Sequence, residues 1–229
     1  MSCLLRIQDL KKSILETAVA AGKDPEKVRL VIVTKTVAPD GVREAYDAGE
    51  RDFGENRVQE WQEKKEALPA DIRWHLIGHL QTNKVKYVVG HVALIHSLDR
   101  PELAAAIDKH ARAKGVKEVA CLLQVNMSRE ATKSGCARED VAALMDAVAA
   151  APSIVLRGIM TIGPLTEDAG KIRDCFRRTG ELLGWLKSNY SRYPWEVLSM
   201  GMSGDYKIAI EEGANMLRIG SLIFPRTLV

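Results

Sequence analysis

Short runs of apolar residues alternate with longer amphipathic stretches along most of this chain. The first run, RLVIVTK, is rich in β-branched residues and nearly continuous in its hydrophobicity, as expected of a strand covered on both faces. Similar runs recur, and the full set lies at residues 29–35, 51–54, 73–78, 93–99, 119–126, 154–160, 196–201 and 216–220. The pattern therefore predicts eight buried strands.

The stretches around these runs have the spacing of helices. Before the first strand, Ile7, Leu10, Ile14 and Ala18 recur at steps of three and four, and Gly22 supplies a stop. After the second strand, the predicted inner side of a helix consists of Val58, Trp61, Lys65 and Leu68. Further helices are predicted at residues 39–49, 101–115, 141–152, 172–186 and 205–213.

Strict alternation of strand and helix implies parallel strands with right-handed crossovers. Eight such units close a barrel, and an open doubly wound sheet is the competing architecture. No GxGxxG motif follows the first strand, which weakens the open-sheet interpretation. We therefore expect an α/β fold with a single (β/α)8 TIM-type barrel and an extra N-terminal helix. Residues 1–229 should form one domain, because no linker or repeat divides them.

Composition narrows the function classes. The 229 residues carry 33 lysines and arginines and 30 acidic residues, a net charge of +3, and the two signs are interleaved, so no nucleic-acid surface is expected. The 4 cysteines are scattered without metal-binding spacing, which indicates free thiols in a reducing compartment. No secretory leader is seen, and no apolar run approaches the ~20 residues that span a bilayer. We expect a cytoplasmic protein with no metal and no membrane contact.

Polar residues cluster where the predicted strands end. The strand ends carry Thr34–Lys35–Thr36, Gly54–Glu55–Asn56, His75 with Gly78, Gln124–Val125–Asn126, Met160, Ser199–Met200–Gly201 and Arg218–Ile219–Gly220–Ser221. Barrel proteins place their chemistry at the mouth formed by the C-terminal ends of the strands. A polar crown over one mouth is therefore predicted.

Among the residues of this crown, Lys35 gives the most specific prediction of chemistry. A lysine that points inward at the end of an apolar strand is costly to bury as a cation, so its pKa should fall toward neutrality. A neutral amine is the nucleophile that condenses with an aldehyde. In the alternative, the Lys35 side chain leaves the barrel and places its ammonium group in water.

Two turns near the C-terminus have the composition of a phosphate site. The segment LSMGMSGDYKIAIEEG runs from a Gly- and Ser-containing turn into a helix, and RIGS supplies a similar turn after strand eight. Backbone N–H groups in such turns bind phosphate, and barrels often hold phosphate after strands seven and eight. Ordinary turn chemistry is the alternative for each turn taken alone.

Arg218 and the histidines carry different amounts of information. Arg218 either clamps an anion or pairs with Glu211 or Glu212; facing a pyridine nitrogen, it would donate a hydrogen bond and keep that nitrogen unprotonated. An unprotonated ring is a poor electron sink. His75 and His79 are four residues apart, but they lie around strand three and its loop rather than on a helix, so no metal pair is implied. His96 is interpreted as a core or surface residue rather than as a ligand. Trp74 is interpreted as packing, or as facing the crown.

Seven motifs, in order, resemble the pyridoxal phosphate homeostasis protein family. They are VIVTKT, REAYDAGERDFGENRVQE, WHLIGHLQTNK, HSLDR, LLQVNMSREATKSG, LRGIMTI and LSMGMSGDYKIAIEEGANMLRIGSLIF. The resemblance extends from about residue 30 to residue 224. It implies the fold of the N-terminal barrel domain of bacterial alanine racemase without that enzyme's second, β-rich domain. One departure is Pro225, where the family usually has glycine after the phenylalanine.

The resemblance also implies a cofactor site. Lys35 should form a Schiff base with pyridoxal 5′-phosphate, Arg218 should face the pyridine nitrogen, and Asn56 should line the pocket. The phosphate should lie against Ser199, Gly201, Met202, Gly220 and Ser221. Met160, at the end of strand six, completes the expected set.

The family implies a non-enzymatic protein that buffers pyridoxal 5′-phosphate and delivers it through transient contact with dependent enzymes. An amino-acid racemase is the main alternative, and it needs proton carriers on both faces of the substrate α-carbon. Lys35 serves one face, but in alanine racemase the other is served by a tyrosine of the second domain. A barrel that binds another phosphorylated metabolite is a third alternative. We expect a monomer, because the missing domain removes one route to dimerisation.

Overall fold

Eight parallel strands close into a barrel in the computed structural model, which describes residues 2–128, 130 and 134–225. The strands are β1 Arg29–Val33, β2 Asp52–Glu55, β3 Arg73–Leu76, β4 Leu94–Leu98, β5 Val119–Gln124, β6 Ile154–Met160, β7 Val197–Ser199 and β8 Met216–Ile219. Each strand pairs with its neighbour in sequence, and β8 pairs with β1. The predicted barrel is confirmed, and the open-sheet alternative is wrong.

The described helices cover the outside of the barrel. They are α1 Cys3–Ala20, α2 Pro39–Asp47, α3 Val58–Ala67, α4 Val85–Val88, α5 Pro101–Ala113, α6 Val141–Ala149, α7 Ala169–Asn189 and α8 Tyr206–Glu211, with 3-10 turns at Pro25–Lys27, Thr82–Lys84 and Arg138–Asp140. The extra N-terminal helix is confirmed, and it packs against α2 and α8. The short α4 between β3 and β4 was not predicted, because four residues show no helical period.

Several strands end earlier than predicted. β1 ends at Val33 rather than at residue 35, and β7 ends at Ser199 rather than at residue 201. The polar residues that follow them belong to turns, because the parallel ladder stops where the chain turns outward toward the next helix. The crown residues are therefore carried by short turns rather than by the strands themselves.

Apolar residues form two separate clusters, because side chains alternate between the two faces of each strand. The larger cluster lies between the sheet and the helices, and the smaller one fills the barrel with Val31, Leu94, Leu122, Met160, Val197 and Met216. This inner cluster plugs the barrel below the mouth. The site above it consequently has a solid apolar floor.

One predicted side-chain placement is wrong. α3 buries Val58, Trp61 and Lys64, while Lys65 is exposed, because the buried residues follow one another at steps of three. The interpretation of Trp74 as packing is confirmed, since it lies in the outer cluster, with its ring centroid 6.0 Å from that of Phe53.

The remaining sequence features have simple structural outcomes. All four cysteines are buried and free, and the thiol pKa of Cys121 is raised by its burial. None of the helices in the described residues combines the length and apolar content that a bilayer crossing requires.

A tight approach between β6 and β7 yields a stability prediction. A Cβ added at Gly158 would lie 1.8 Å from the carbonyl oxygen of Val197, which is backbone and cannot rotate away. Gly158→Ala should therefore lower the free energy of unfolding by about 2–3 kcal/mol. Gly184→Ala in α7, where a Cβ meets nothing within 4 Å, should raise it by about 0.5–1 kcal/mol. Urea unfolding followed by circular dichroism measures both variants. A Gly158→Ala midpoint equal to that of the wild type would show that β6 and β7 have room for a side chain.

Candidate functional site

The mouth at the C-terminal ends of the strands brings the predicted site residues together. β1 and β8 are neighbours, with Val31 paired to Arg218, so the turns that carry Lys35 and Gly220 leave the barrel side by side. A Cβ on Gly220 would lie 2.6 Å from the carbonyl oxygen of Val33. Glycine is thus required where the β8 turn crosses the end of β1.

Three further predicted residues lie at the ends of other strands. Ser199 ends β7 and is paired with Met160, the last residue of β6. Met160 belongs to the inner apolar cluster, so it contributes to the floor of the mouth. Asn56 follows β2 and is partly buried, and its carbonyl oxygen lies so near Gly78 that a Cβ there would be 2.3 Å away.

Lys35 lies in a turn directly after β1, and its side chain is exposed. The amide of Val37 closes the turn by donating to the carbonyl of Thr34 at 3.0 Å. Thr36 has φ 63°, in the left-handed region, where a β-branched residue is strained by roughly 1–3 kcal/mol. Within the described residues, the Lys35 amine has no hydrogen bond or ion pair. Of the two sequence alternatives, the structure favours the one with the amine in water.

Helix α3 holds this turn on both sides of Lys35. The Lys64 amine donates to the carbonyl oxygen of Thr34 at 2.7 Å. The amide of Thr36 donates to the Glu60 carboxylate at 3.1 Å. The backbone before and after Lys35 is therefore fixed while its amine stays available.

The Lys64 side chain also pairs with Glu55, and both are buried. Thr34 Oγ1 donates to the same Glu55 oxygen at 2.6 Å. Burial raises the pKa of Glu55, and the hydrogen bonds from Lys64 and Thr34 partly offset that rise. This cluster was not predicted from the sequence. The signal for it was Glu55 itself, a carboxylate inside a buried strand pattern that needs a cation from the covering helix.

Arg218 is buried at the mouth, with 4 % of its surface exposed. Its Nη1 donates to Ser199 Oγ at 2.7 Å, and its Nη2 donates to the carbonyl oxygen of Thr161 at 2.8 Å. It does not pair with Glu211 or Glu212, which bind Arg173 instead.

The charge of Arg218 has no carboxylate at salt-bridge distance among residues 2–128, 130 and 134–225. Asp205 acts on this charge only through space. Burial lowers the pKa of Arg218 to about 10. Since a buried cation without an ion pair is costly, the geometry calls for an acceptor or anion from outside the chain.

The two turns after β7 and β8 present backbone N–H groups at the same mouth. In the described part of the chain, the amides of Ser203, Gly204, Gly220 and Ser221 donate no hydrogen bond. The Met202 amide, also predicted for the site, donates to Asp205 Oδ1. Gly201 has φ 91°, so this turn, like the one at Gly220, depends on glycine.

Two histidines expected to be uninformative are joined inside the barrel. His75 Nδ1 lies 2.9 Å from His96 Nε2, and both residues are buried. His96 Nδ1 lies 3.4 Å from Ser199 Oγ. Each histidine is the third residue of its strand, and that shared inward position is the signal that sequence reasoning overlooked.

The residues present fit an anionic ligand that carries a carbonyl group. As far as the described residues show, the mouth offers a guanidinium without an ion pair, four amides that donate no hydrogen bond, and an exposed primary amine. A cluster of side chains able to hold a metal ion is not found among the described residues. Part of the LLQVNMSREATKSG motif and the residue after Pro225 lie outside the described residues.

Comparison with protein families points in one direction. The family model for the N-terminal domain of alanine racemase matches residues 15–226. A pyridoxal phosphate homeostasis protein from Aquifex aeolicus is 41% identical over 225 residues, covering 98% of this chain and 98% of its own length. A protein of the same name from Escherichia coli is 34% identical over 222 residues, covering 95% of this chain and 94% of its own.

Solved structures agree on the fold. PipY from Synechococcus elongatus, solved with PLP bound, has a TM-score of 0.84 and 33% identity, covering 97% of this chain and 100% of PipY. Alanine racemase from Clostridium difficile has a TM-score of 0.71 and 13% identity, covering 96% of this chain and 57% of the racemase. The second likeness shows a shared barrel fold alone.

The buried Lys64–Glu55 pair yields a pH-dependent prediction. Lys64→Met leaves the Glu55 carboxylate buried and uncompensated, so the free energy of unfolding at pH 8 should fall by about 3–5 kcal/mol. Without the lysine, the folded-state pKa of Glu55 rises further above its unfolded value. A raised pKa favours folding at low pH and loses that contribution as pH rises through it, so the deficit should shrink toward pH 5.

The double variant Lys64→Met with Glu55→Gln removes both charges, and it should recover part of the lost stability. Urea unfolding at the two pH values measures each variant. A deficit in Lys64→Met that is independent of pH would contradict the assignment of a buried, ionised Glu55.

Proposed function

This chain belongs to the pyridoxal phosphate homeostasis protein family, and on that premise we propose that it is a monomeric, single-domain carrier of pyridoxal 5′-phosphate in the cytoplasm. It holds the cofactor through a Schiff base on Lys35, buffers its free concentration and releases it to dependent enzymes. Its buried free cysteines support a reducing compartment.

The observation that carries this proposal is the buried guanidinium of Arg218. It uses two of its five N–H donors, on Ser199 Oγ and the Thr161 carbonyl, and has no ion pair in the described residues. A pyridine nitrogen accepts a hydrogen bond, and a phosphate ester brings negative charge to the mouth. A ligand that offers both groups matches what the mouth lacks.

Each remaining part of the mouth has a role toward the same ligand. The amides of Gly220 and Ser221, with Ser199 and the turn at Gly201 and Met202, hold the phosphate. Asn56 and Met160 border the ring. When bound, the cofactor supplies an aldehyde carbon and a ring that acts as an electron sink in enzymes. Arg218 keeps its own protons, so the ring nitrogen opposite it stays unprotonated and that sink is weak.

The Lys35 amine attaches the cofactor. After losing its extra proton to solvent, Lys35 Nζ attacks the aldehyde carbon, one water molecule leaves, and a carbon–nitrogen double bond remains. Hydrolysis reverses each of these steps. Because the Lys35 side chain is exposed, water and an acceptor protein reach this bond easily, which suits a carrier.

The tyrosines of this chain support a carrier rather than a racemase. Tyr46 Oη donates to Asp71, Tyr206 Oη lies 2.9 Å from Ser13 Oγ, and the Tyr193 hydroxyl contacts Arg192. These hydroxyl groups are thus engaged within the helical layer or near it. The second proton carrier that racemisation needs has no candidate among them.

Removal of the amine tests the attachment. Lys35→Ala should lose the adduct that borohydride traps with pyridoxal 5′-phosphate, because Lys35 lies in the turn after β1, the strand paired with the β8 that carries Arg218. Mass spectrometry of the reduced, digested protein measures the labelled peptide. Lys86→Ala, at an exposed lysine of α4, is the control and should be labelled as the wild type is. A label that persists in Lys35→Ala would refute the assignment.

Solvent-deuterium exchange tests the choice between carrier and racemase. We expect the loaded protein to exchange the α-hydrogen of alanine no faster than free pyridoxal 5′-phosphate at equal concentration, because the hydroxyl groups of Tyr46, Tyr193 and Tyr206 are engaged elsewhere and the electron sink is weak. Proton NMR of the alanine signal measures the rate. Exchange at least about tenfold faster, a barrier lowered by about 1.4 kcal/mol, would favour the enzyme.

A further inference from the structure

A chain of polar side chains crosses the inside of the barrel. At one end, Asp52 accepts a hydrogen bond from Arg73 Nε at 2.8 Å and lies 3.0 Å from His75 Nε2. His75 Nδ1 is 2.9 Å from His96 Nε2, and His96 Nδ1 is 3.4 Å from Ser199 Oγ. Asp52 begins β2 and Ser199 ends β7. In a parallel barrel the chain therefore joins the N-terminal mouth to the mouth that carries the candidate site.

These contacts determine where the protons lie when both imidazoles are neutral. Burial alone raises the pKa of Asp52, but hydrogen bonds from His75 and Arg73 outweigh it and hold that pKa well below its usual range. The Asp52 carboxylate therefore accepts the proton on His75 Nε2. His75 Nδ1 then accepts from His96 Nε2, and His96 Nδ1 accepts the hydroxyl proton of Ser199. In this arrangement the Ser199 proton points into the barrel.

One added proton reverses the direction of the hydrogen bonds between His75, His96 and Ser199. The proton on His96 Nε2 moves to His75 Nδ1, and the added proton occupies His96 Nδ1, which now donates to Ser199 Oγ. The positive charge lies on His75, beside the Asp52 carboxylate. Burial, followed by the charges of His75 and Arg218, lowers the pKa of His96, so the cation belongs on His75. Ser199 Oγ accepts from His96 and Arg218 together, and its own proton is free to point toward the mouth.

We propose that His75 and His96 are positioning residues for the Ser199 hydroxyl, so that the hydrogen-bonded side chains from Asp52 to Ser199 take up one proton when a phosphate ester dianion binds at the mouth. The inference rests on the proposed function for the identity of its ligand. A dianion accepts hydrogen bonds and donates none, so it selects the arrangement in which Ser199 donates outward.

The charges around the chain favour this coupling. Asp52 and Arg73 lie at its end near the N-terminal mouth, and Arg218 lies at its Ser199 end. Asp205 acts on Arg218 through space. An added proton is repelled by Arg218, and a phosphate dianion beside Arg218 offsets that repulsion. Ligand and proton therefore stabilise each other across the barrel, as linked binding events must.

Calorimetric titration with pyridoxine 5′-phosphate tests the coupling. This ligand has no aldehyde and cannot react with Lys35, and at pH 8 its phosphate is a dianion because its second pKa is about 6. Titration in buffers of different ionisation enthalpy gives the number of protons taken up on binding. The wild type should take up about one proton more than Asp52→Asn or His96→Gln, since neither variant can form the reversed set of hydrogen bonds. Any proton that the ligand ring gains or loses on binding contributes equally to the wild type and to both variants.

His91→Gln is the matched control, because His91 is exposed and does not belong to the hydrogen-bonded series of side chains from Asp52 to Ser199. This variant should take up the same number of protons as the wild type. Nitrogen-15 NMR of the wild-type imidazoles gives a second readout. On ligand addition, one buried histidine should become an imidazolium and another should move its proton from Nε2 to Nδ1. Equal proton numbers in the wild type, Asp52→Asn and His96→Gln, unchanged tautomers, or no binding of this ligand would each overturn the inference. A trapped adduct on Lys35 alongside such a result would leave the proposed function standing, whereas absence of that adduct would reject the proposed function.

Discussion

The buried charge of Arg218 is the constraint around which the mouth of this barrel is organised. A guanidinium out of contact with water and without an ion pair is tolerated only where other groups accept its protons. Here a serine hydroxyl and one backbone carbonyl do so, and the apolar plug of the barrel lies beneath them. The mouth therefore has a standing preference for negative charge. That preference exists because β8 places the third of its four residues inward at the height where the barrel opens.

The amine that would react is controlled by the outer layer of the barrel. Lys64 and Glu60 of α3 grip the backbone on each side of Lys35. Lys64 is buried and serves as a counter-charge for Glu55, whereas Lys35 is exposed and makes no hydrogen bond or ion pair among the described residues. Lys64 contacts the same turn that carries Lys35, yet the two lysines have opposite environments. The difference follows from the strand alternation, which directs Glu55 outward into the layer between sheet and helix.

The hydrophobic pattern was sufficient to predict the closed barrel, the N-terminal helix and the mouth at which the polar residues gather. It failed where side chains meet across elements. The step between Lys64 and Lys65 decides which amine is buried, and the helical period alone places both near the inner face. The link between His75 and His96 depends on the pairing of β3 with β4, which a sequence does not display. Arg218 was singled out, but its lack of an ion pair is a property of the folded chain.

In the proposed function, the exposed Lys35 and the buried Arg218 hold different parts of one ligand. An enzyme that uses the same chemistry gains from enclosing the amine, because excluding water strengthens electrostatic interactions and protects reactive intermediates. A carrier has the opposite requirement, since the covalent bond must be broken by water or by transfer while the ligand stays oriented. In the proposed arrangement, the ring nitrogen is held at the buried Arg218 and the phosphate at the turns after β7 and β8, while the aldehyde end lies at an open turn. Hydrolysis of the covalent bond would then not by itself expel the ligand. Such a separation of retention from reaction is the arrangement that a reversible store of a reactive aldehyde needs.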